Sequence, residues 1–454
     1  MKNSRRTFIK QSVAVSLGFS GLSHYLVSCS GGGKAANVAE NLPVSKEWID
    51  LPDGFSAKII SRWGDTMSDG FKVPGLADGM AAFSVDGNVV LVRNHEIGNG
   101  EEYGPFGTDQ TLKDQLSKES FFDYGFGKQP CIGGTTNVVF NEATQTVEKE
   151  YLSLVGTIRN CAGGPTPWNT WITCEEDVTK ANDLNETAHG YNFEVPAAAK
   201  GLVKPVALKE MGRFNHEAVC VDPRTGIVYQ TEDRHDSLIY RYLPNVPGEL
   251  HKGGRLQALA IKEQASFDTR NYKEQAIQVG QPLDAVWIDL EDTDPEEDDL
   301  RIRGYESGAA VFARGEGMWY GNEEVYFACT SGGKNKTGQV FKYIPGEFEG
   351  TEKEAENPGK LVLFAEPNDQ ELLKYCDNLT VAPWGDVVLV EDDQDSYMRG
   401  ITPEGKIYNI ARNIGSQSEM AGVCFSPSGK TLFVNVQKDG LTFAITGPWD
   451  KLRA

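Results

Sequence analysis

Histidine is scarce in this chain: six residues in 454, one of them, His24, inside the first thirty. That leaves His95, His189, His216, His235 and His251, too few for a histidine-rich dizinc centre. No CxxC pair occurs among the eight cysteines, so the sequence offers no zinc ribbon. The signatures GxSxG, P-loop and HExxH are missing as well. Bases are in deficit, 44 against 65 acids, for a net charge of −21. That balance argues against a nucleic-acid partner, whose phosphates are held mainly by Lys and Arg. Past residue 48 there is no strong amphipathic helical run and no apolar run long enough to span a bilayer. With 39% hydrophobic and 10% aromatic residues, the bulk of the chain is nevertheless a globule and not a disordered polymer.

What is present begins with an address. Ser4-Arg5-Arg6-Thr7-Phe8-Ile9-Lys10 precedes a short apolar stretch from Gln11 to Val27. A basic start, paired arginines and a short apolar run are the pattern of a twin-arginine export signal. Leu26-Val27-Ser28-Cys29 then resembles a bacterial lipobox, with Cys29 as the acylated first residue of the mature protein. The expected organisation is a signal at 1–28, a Gly/Ala-rich tether at 29–47 and a single domain at 48–454. Residues 1–28 hold four bases and no acid, so a chain starting at Cys29 carries −25. The expected surroundings are the twin-arginine machinery, then the periplasmic side of a membrane or the cell surface, reached through a lipid anchor. With Cys29 acylated, seven cysteines remain, an odd number, so at least one is unpaired within the chain.

The domain itself reads as strands. With 49 Gly and 21 Pro, short Val/Ile/Leu/Tyr/Phe-rich runs are punctuated by turns. Six of them share one layout of turn, apolar run and polar or acidic end: Asn88–Glu96, Asn169–Glu176, Thr225–Arg234, Glu324–Gly333, Gly385–Asp393 and Lys430–Gln437. Six such units over about 400 residues predict a six-bladed β-propeller with loop insertions; a large β-sandwich or two β domains is the alternative. In a propeller, corresponding strands point at one central channel. Carboxylates gathered there repel one another and lose hydration, and cations relieve both costs. A metal cluster in the channel is therefore expected. Glu291–Asp299, with Pro295 at its centre, lies between strands and reads as a solvated loop.

Three motifs stand out for chemistry. Asn160-Cys161-Ala162-Gly163-Gly164-Pro165 is a rigid turn around a cysteine, suited to a fixed thiolate ligand. Arg213-Phe214-Asn215-His216-Glu217 precedes a strand, and Arg314-Gly315-Glu316-Gly317 sets a guanidinium two residues from a carboxylate. Such a pair can grip a phosphate or carboxylate with the arginine while the glutamate holds a metal. Carboxylate oxygens suit calcium, magnesium, manganese or ferric iron, and a single thiolate among them suits iron or zinc.

At these residues, together with Leu51-Pro52-Asp53-Gly54-Phe55, Asn94-His95-Glu96, Thr166-Pro167-Trp168, Thr173-Cys174-Glu175-Glu176 and Asp377-Asn378, the chain resembles a short member of the PhoX alkaline phosphatase family from about residue 48 to 440. The resemblance implies a six-bladed propeller with iron and calcium in the channel, acting on small-molecule phosphate esters. It implies Cys161 as an iron ligand, Glu176 as a shared ligand, Glu217, Asp233 and Glu316 as further ligands, and Asp392 as a calcium ligand, with Glu96 an additional candidate. It implies Arg314 as the phosphate-gripping arginine. The expected activity is phosphomonoester hydrolysis outside the cytoplasm. A phosphodiesterase, a calcium-dependent lactonase or esterase, and a non-enzymatic metal-binding lipoprotein are the other readings.

Overall fold

The computed structural model describes residues 47–100 and 102–452; the export signal, Cys29 and nearly all of the tether lie outside them. The described residues form one compact unit built almost wholly of antiparallel strands. In chain order these are β1 (Ile49–Asp50), β2 (Ser56–Arg62), β3 (Ala77–Val85), β4 (Asn88–His95), β5 (Gly133–Asn141), β6 (Thr146–Thr157), β7 (Asn160–Pro165), β8 (Thr170–Glu175) and β9 (Asn192–Pro196). Then follow β10 (His216–Val221), β11 (Val228–Glu232), β12 (Ile239–Pro244), β13 (Gly254–Ile261) and β14 (Pro282–Leu290), and a short helix α1 (Leu300–Glu306). The series continues with β15 (Gly315–Gly321), β16 (Glu324–Cys329), β17 (Gln339–Ile344), β18 (Lys360–Ala365), β19 (Cys376–Val381), β20 (Val387–Glu391), β21 (Tyr397–Ile401) and β22 (Ile407–Asn413). It ends with β23 (Met420–Phe425), β24 (Thr431–Val436) and β25 (Leu441–Thr446).

These strands make a propeller-like arrangement. Sequential meanders give sheets β3-β4-β5-β6 and β7-β8-β9, and the first strand of each meander packs against the first strand of the next. β3 lies against β7, β7 against β10, β10 against β15, β15 against β19, β19 against β23, and β23 against β3 again. The sheets are five, not the separate blades expected, because β10–β18 form one continuous nine-stranded sheet. The cause is the long β14: Ala285–Leu290 pairs with β13, while Pro282–Asp284 runs on to pair with β18. N-terminal strands complete the last two sheets, with β1 on β22 and β2 on β25.

Apolar residues fill the space between the two halves of the nine-stranded sheet, as in the cluster of Ile227, Tyr229, Ile239, Leu259, Phe312, Phe327 and Phe341. All seven described cysteines are buried and unpaired. Glu291–Asp299 is a loop, as expected, but less solvated than its composition suggests. Tyr191 and Lys209 bond Asp294, Arg234 and Arg301 pair with Asp298, and Arg213 donates to the carbonyls of Pro295 and Glu296.

The first strands share a local irregularity that shapes the centre. Pairing with the second strand slips between Ala77 and Met80, Asn160 and Gly163, His216 and Val219, Gly315 and Met318, Cys376 and Leu379, and Ala421 and Cys424. A bulge leaves a residue unpaired and re-aims its side chain. Small residues make the close approach of neighbouring first strands possible. A Cβ on Gly79 would stand 2.5 Å from Cα of Ala162, one on Gly317 2.6 Å from Cα of Asn378, and one on Gly422 2.1 Å from the Asp78 carbonyl oxygen. At this level the channel narrows to about 20 Å³, lined by residues such as Gly79, Ala162, Ala218, Gly317 and Gly422.

Candidate metal centre

The bulges set the inner tier of a polar cup. In the motifs Asp78-Gly79, Cys161-Ala162, Glu217-Ala218, Glu316-Gly317 and Asp377-Asn378, the larger residue enters the cavity and the smaller one packs in the narrow layer. In the last first strand the equivalent pair is Ala421-Gly422, so no acid stands there, and Glu419, just before β23, enters the cavity instead. The rim comes from the far ends of second strands: Glu96 after β4, Glu176 after β8, Asp233 after β11, Asp392 after β20 and Gln437 after β24. The cavity measures about 310 Å³.

All eight residues singled out in the channel from sequence, Glu96, Cys161, Glu176, Glu217, Asp233, Arg314, Glu316 and Asp392, line this one cavity. Cys29 lies outside the described residues. Asp78, Arg159, Asp377, Glu419 and Gln437 line it too, and sequence reasoning did not assign them. The short motif of acid or Cys followed by Gly, Ala or Asn could have located Asp78 and Asp377.

Within the cup, ligand atoms converge in two groups. Atoms of Cys161, Glu176 and Glu217 lie within 4.8 Å of one another, as do those of Glu217, Glu316 and Asp377. Glu217 belongs to both. Burial and mutual repulsion drive the carboxyls of Asp78, Glu176, Glu217, Glu316 and Asp377 well above their ordinary range, and raise the Cys161 thiol. Glu419 is pushed up to about 7 by burial and by Asp392 beside it. Asp78 also keeps a buried oxygen, Oδ1, with no hydrogen-bond partner. Packed carboxyls, a thiol and an orphaned oxygen fit cations, because only a positive charge makes this set favourable together.

Two arginines supply the cup's own positive charge in matching ways. Arg159 donates from Nε (3.1 Å) and Nη2 (2.7 Å) to Glu96, and Nη2 also meets Glu176. Arg314 donates from Nε and Nη2, both at 2.8 Å, to the two oxygens of Asp233, and from Nη2 to Glu316 at 2.9 Å. Each sits two residues before an inner-tier residue, with φ of 46° and 55°, a left-handed conformation uncommon outside glycine. Leu76 (47°) before Asp78 and Tyr375 (52°) before Asp377 repeat it, so the strand entry is a repeated device. In both arginines these contacts engage Nε and Nη2, on one edge of the fork, and leave the Nη1 donors for a ligand.

Neutral residues hold the tiers in place. Asn94 donates to the carbonyls of Cys161 (3.1 Å) and Ala162 (2.6 Å) and accepts from Trp171 Nε1 at 2.8 Å. Thr231 Oγ1 donates to the Glu316 carbonyl at 2.6 Å, and the Gly422 amide donates to Asn378 Oδ1 at 2.6 Å. Gln437 donates to Asp78 (2.8 Å) and Glu96 (3.0 Å), joining tier to rim.

The sequence pattern of the family described as Alkaline phosphatase PhoX matches residues 36–440. The chain belongs to the PhoX alkaline phosphatase family. It is thereby a hydrolase of phosphoric esters, and every cavity residue of both tiers falls inside the PhoX match. Among solved structures, Pseudomonas fluorescens PhoX in complex with vanadate, a transition state analogue, superposes with a TM-score of 0.66 at 16% identity, covering 90% of this chain and 98% of that one. That likeness establishes a shared fold. A putative gluconolactonase (TM-score 0.42, 11% identity, 87% of this chain and 93% of that one) and a Xanthomonas campestris gluconolactonase (0.40, 12%, 93% and 99%) are more distant. No curated protein matches the sequence. Among the described residues, no helix is long and apolar enough to cross a membrane.

Proposed function

We propose that this protein is a metal-dependent phosphatase that hydrolyses phosphate monoesters outside the cytoplasm, with iron and calcium held in the cup. The observation that carries the reading is the convergence of a thiol, nine carboxylates and Gln437 around two arginines in one cavity, in a chain whose family is a phosphatase family. Cys161 with Glu176 and Glu217 is the set for iron, since a thiolate among hard oxygens suits it. The all-oxygen groups, Glu217, Glu316 and Asp377, and the rim acids Asp233 and Asp392, suit calcium. Glu96 stands closer to Arg159 and Gln437, and its part is to orient Arg159.

What the metals supply when bound is Lewis-acid polarisation of the phosphoryl group. The chain's residues do the rest. Arg314, fixed by both oxygens of Asp233, presents its Nη1 edge to the phosphoryl oxygens and neutralises charge that grows in the transition state. Arg159, held in the same manner by Glu96, is a second grip on the other side of β10. Gly/Ala packing leaves only about 20 Å³ at the level below the inner tier, too little for a phosphate ester, so the substrate enters from the rim side. The ring of first strands supports six blades, the nine-stranded sheet contributing two of them. Export by the twin-arginine route and anchoring through Cys29 complete the reading, as Arg5-Arg6 and Leu26–Cys29 suggest.

The test is elemental analysis of protein purified without chelator, coupled to assays on a monoester, a diester and a lactone. Iron and calcium together with preferred monoester hydrolysis is the expected result. Full metal occupancy without hydrolysis of any of the three would leave a metal-binding lipoprotein; preference for the diester or lactone would replace the substrate class.

A further inference from the structure

A second convergence of ligand atoms lies outside the cup. The segment between β4 and β5 and the segment after β8 meet at Asp123, Cys131 and His189, all fully buried. His189 Nε2 stands 3.2 Å from Asp123 Oδ2 and 3.9 Å from Cys131 Sγ. Ligand atoms around a tetrahedral zinc are roughly 3.2–3.8 Å apart, so the spacing is already that of a site. On the other side of the ring, His189 Nδ1 is 2.7 Å from Glu175. That carboxylate is fixed in turn by the amides of Ile158 (3.1 Å), Gly190 (2.9 Å) and Tyr191 (3.2 Å). A carboxylate on Nδ1 sets the tautomer that frees Nε2 for a metal. The Asn185 side chain is the fourth polar group at the same point, 3.3 Å from both Cys131 Sγ and Asp123 Oδ2.

We propose that Asp123, Cys131 and His189 form a structural zinc site, oriented by Glu175 and independent of the phosphatase cup. One nitrogen, one thiolate and one carboxylate is a donor set that zinc accepts and calcium does not. His189 lies between the Glu175 and Asp123 carboxylates, and a Zn²⁺ ion there would be held by its Nε2, the Cys131 thiolate and Asp123, with the thiol proton released to solvent. Neighbouring residues of an extended strand end point to opposite sides: Glu175 faces this site and Glu176 faces the cup. Glu175 also receives the Ile158 amide, one residue before Arg159. The zinc therefore staples two long loops beneath Arg159 and Glu176.

The test uses the full chain grown with added zinc. Elemental analysis should find one zinc equivalent in the parent that is lost in both Cys131→Ser and His189→Gln, with iron unchanged. Equal zinc in parent and both variants, or no zinc in the parent, would overturn the proposal. If both variants fail to fold, anomalous diffraction at the zinc edge decides it on parent crystals. A peak among His189 Nε2, Cys131 Sγ and Asp123 Oδ2 supports the site, and no peak there refutes it. Iron content and monoesterase activity of the parent report separately on the cup, so failure of one reading is distinguishable from failure of the other.

Discussion

The inner tier of the cup rides on bulged first strands in which each of its polar residues is followed by Gly, Ala or Asn, whereas the rim caps the ends of second strands with continuous apolar runs such as Val89–Val92 and Val387–Val390. The difference is one of constraint. Inner-tier residues are fixed by the backbone, because a bulge between two tightly packed strands allows few side-chain positions. Rim residues are fixed by one another and by the arginines: Asp233 by Arg314, Glu96 by Arg159 and Gln437. A cup built this way has a base set by backbone packing and a mouth set by contacts between side chains.

Removing Glu217 tests the base most severely, because both converging groups share it. Glu217→Gln should lose at least about 10³-fold in monoester turnover, beyond the roughly 10²–10³ that one stabilising donor provides. It should also lose metal by elemental analysis; retained metal would move Glu217 out of the shared position. Arg314→Ala addresses the mouth: a drop of about 10²–10³-fold in kcat with metal content kept. Equal loss of metal would make Arg314 part of the base instead. Gly422→Ala attacks the packing that lets the base exist. Its Cβ would meet the Asp78 carbonyl at 2.1 Å at a φ of 64°, so thermal or urea unfolding should show a loss of about 2–3 kcal/mol. Unchanged stability would mean that neighbouring first strands can part freely. Gln437→Ala should act least, about a tenfold loss in kcat/KM with parental metal content, since only the tie between Asp78 and Glu96 is cut.

The same contrast explains what could be read in the sequence. Second strands are continuous apolar runs between turns, so β4, β8, β11, β16, β20 and β24 were all legible, and with them the rim acids at their ends. First strands are not. Ala77-Asp78-Gly79 and Met420-Ala421-Gly422 carry no apolar periodicity, because small residues there serve strand-to-strand approach. Cys161, Glu217 and Glu316 are marked by their motifs and a family resemblance; Asp78 carries only the short acid–glycine step, and Glu419 has no motif at all. Arg159 stands beside the Asn-Cys-Ala-Gly turn, yet nothing local marks its role, which depends on Glu96, 63 positions earlier. The Asp123–Cys131–His189 group is invisible for the same reason: its members lie on two segments separated by β5 to β8, without a ligand spacing to recognise. The merging of two sheets through β14 depends on a strand running a few residues past its partner, which no composition reveals.

The ring closes by pairing β2, near the start of the described chain, with β25 at its end, over six residues from Ser56↔Thr446 to Arg62↔Leu441. On a ribosome these partners are separated by nearly the whole time of synthesis. Until β25 emerges, β2 has no neighbour and β23, which carries the last side of the cup, has no completed sheet behind it. The cup therefore depends on strands from opposite ends of the described residues, β3 against β23 and β2 against β25. A protein truncated before Leu441 would hold every cavity residue named above, yet β24 would lose its outer neighbour and β2 its only one.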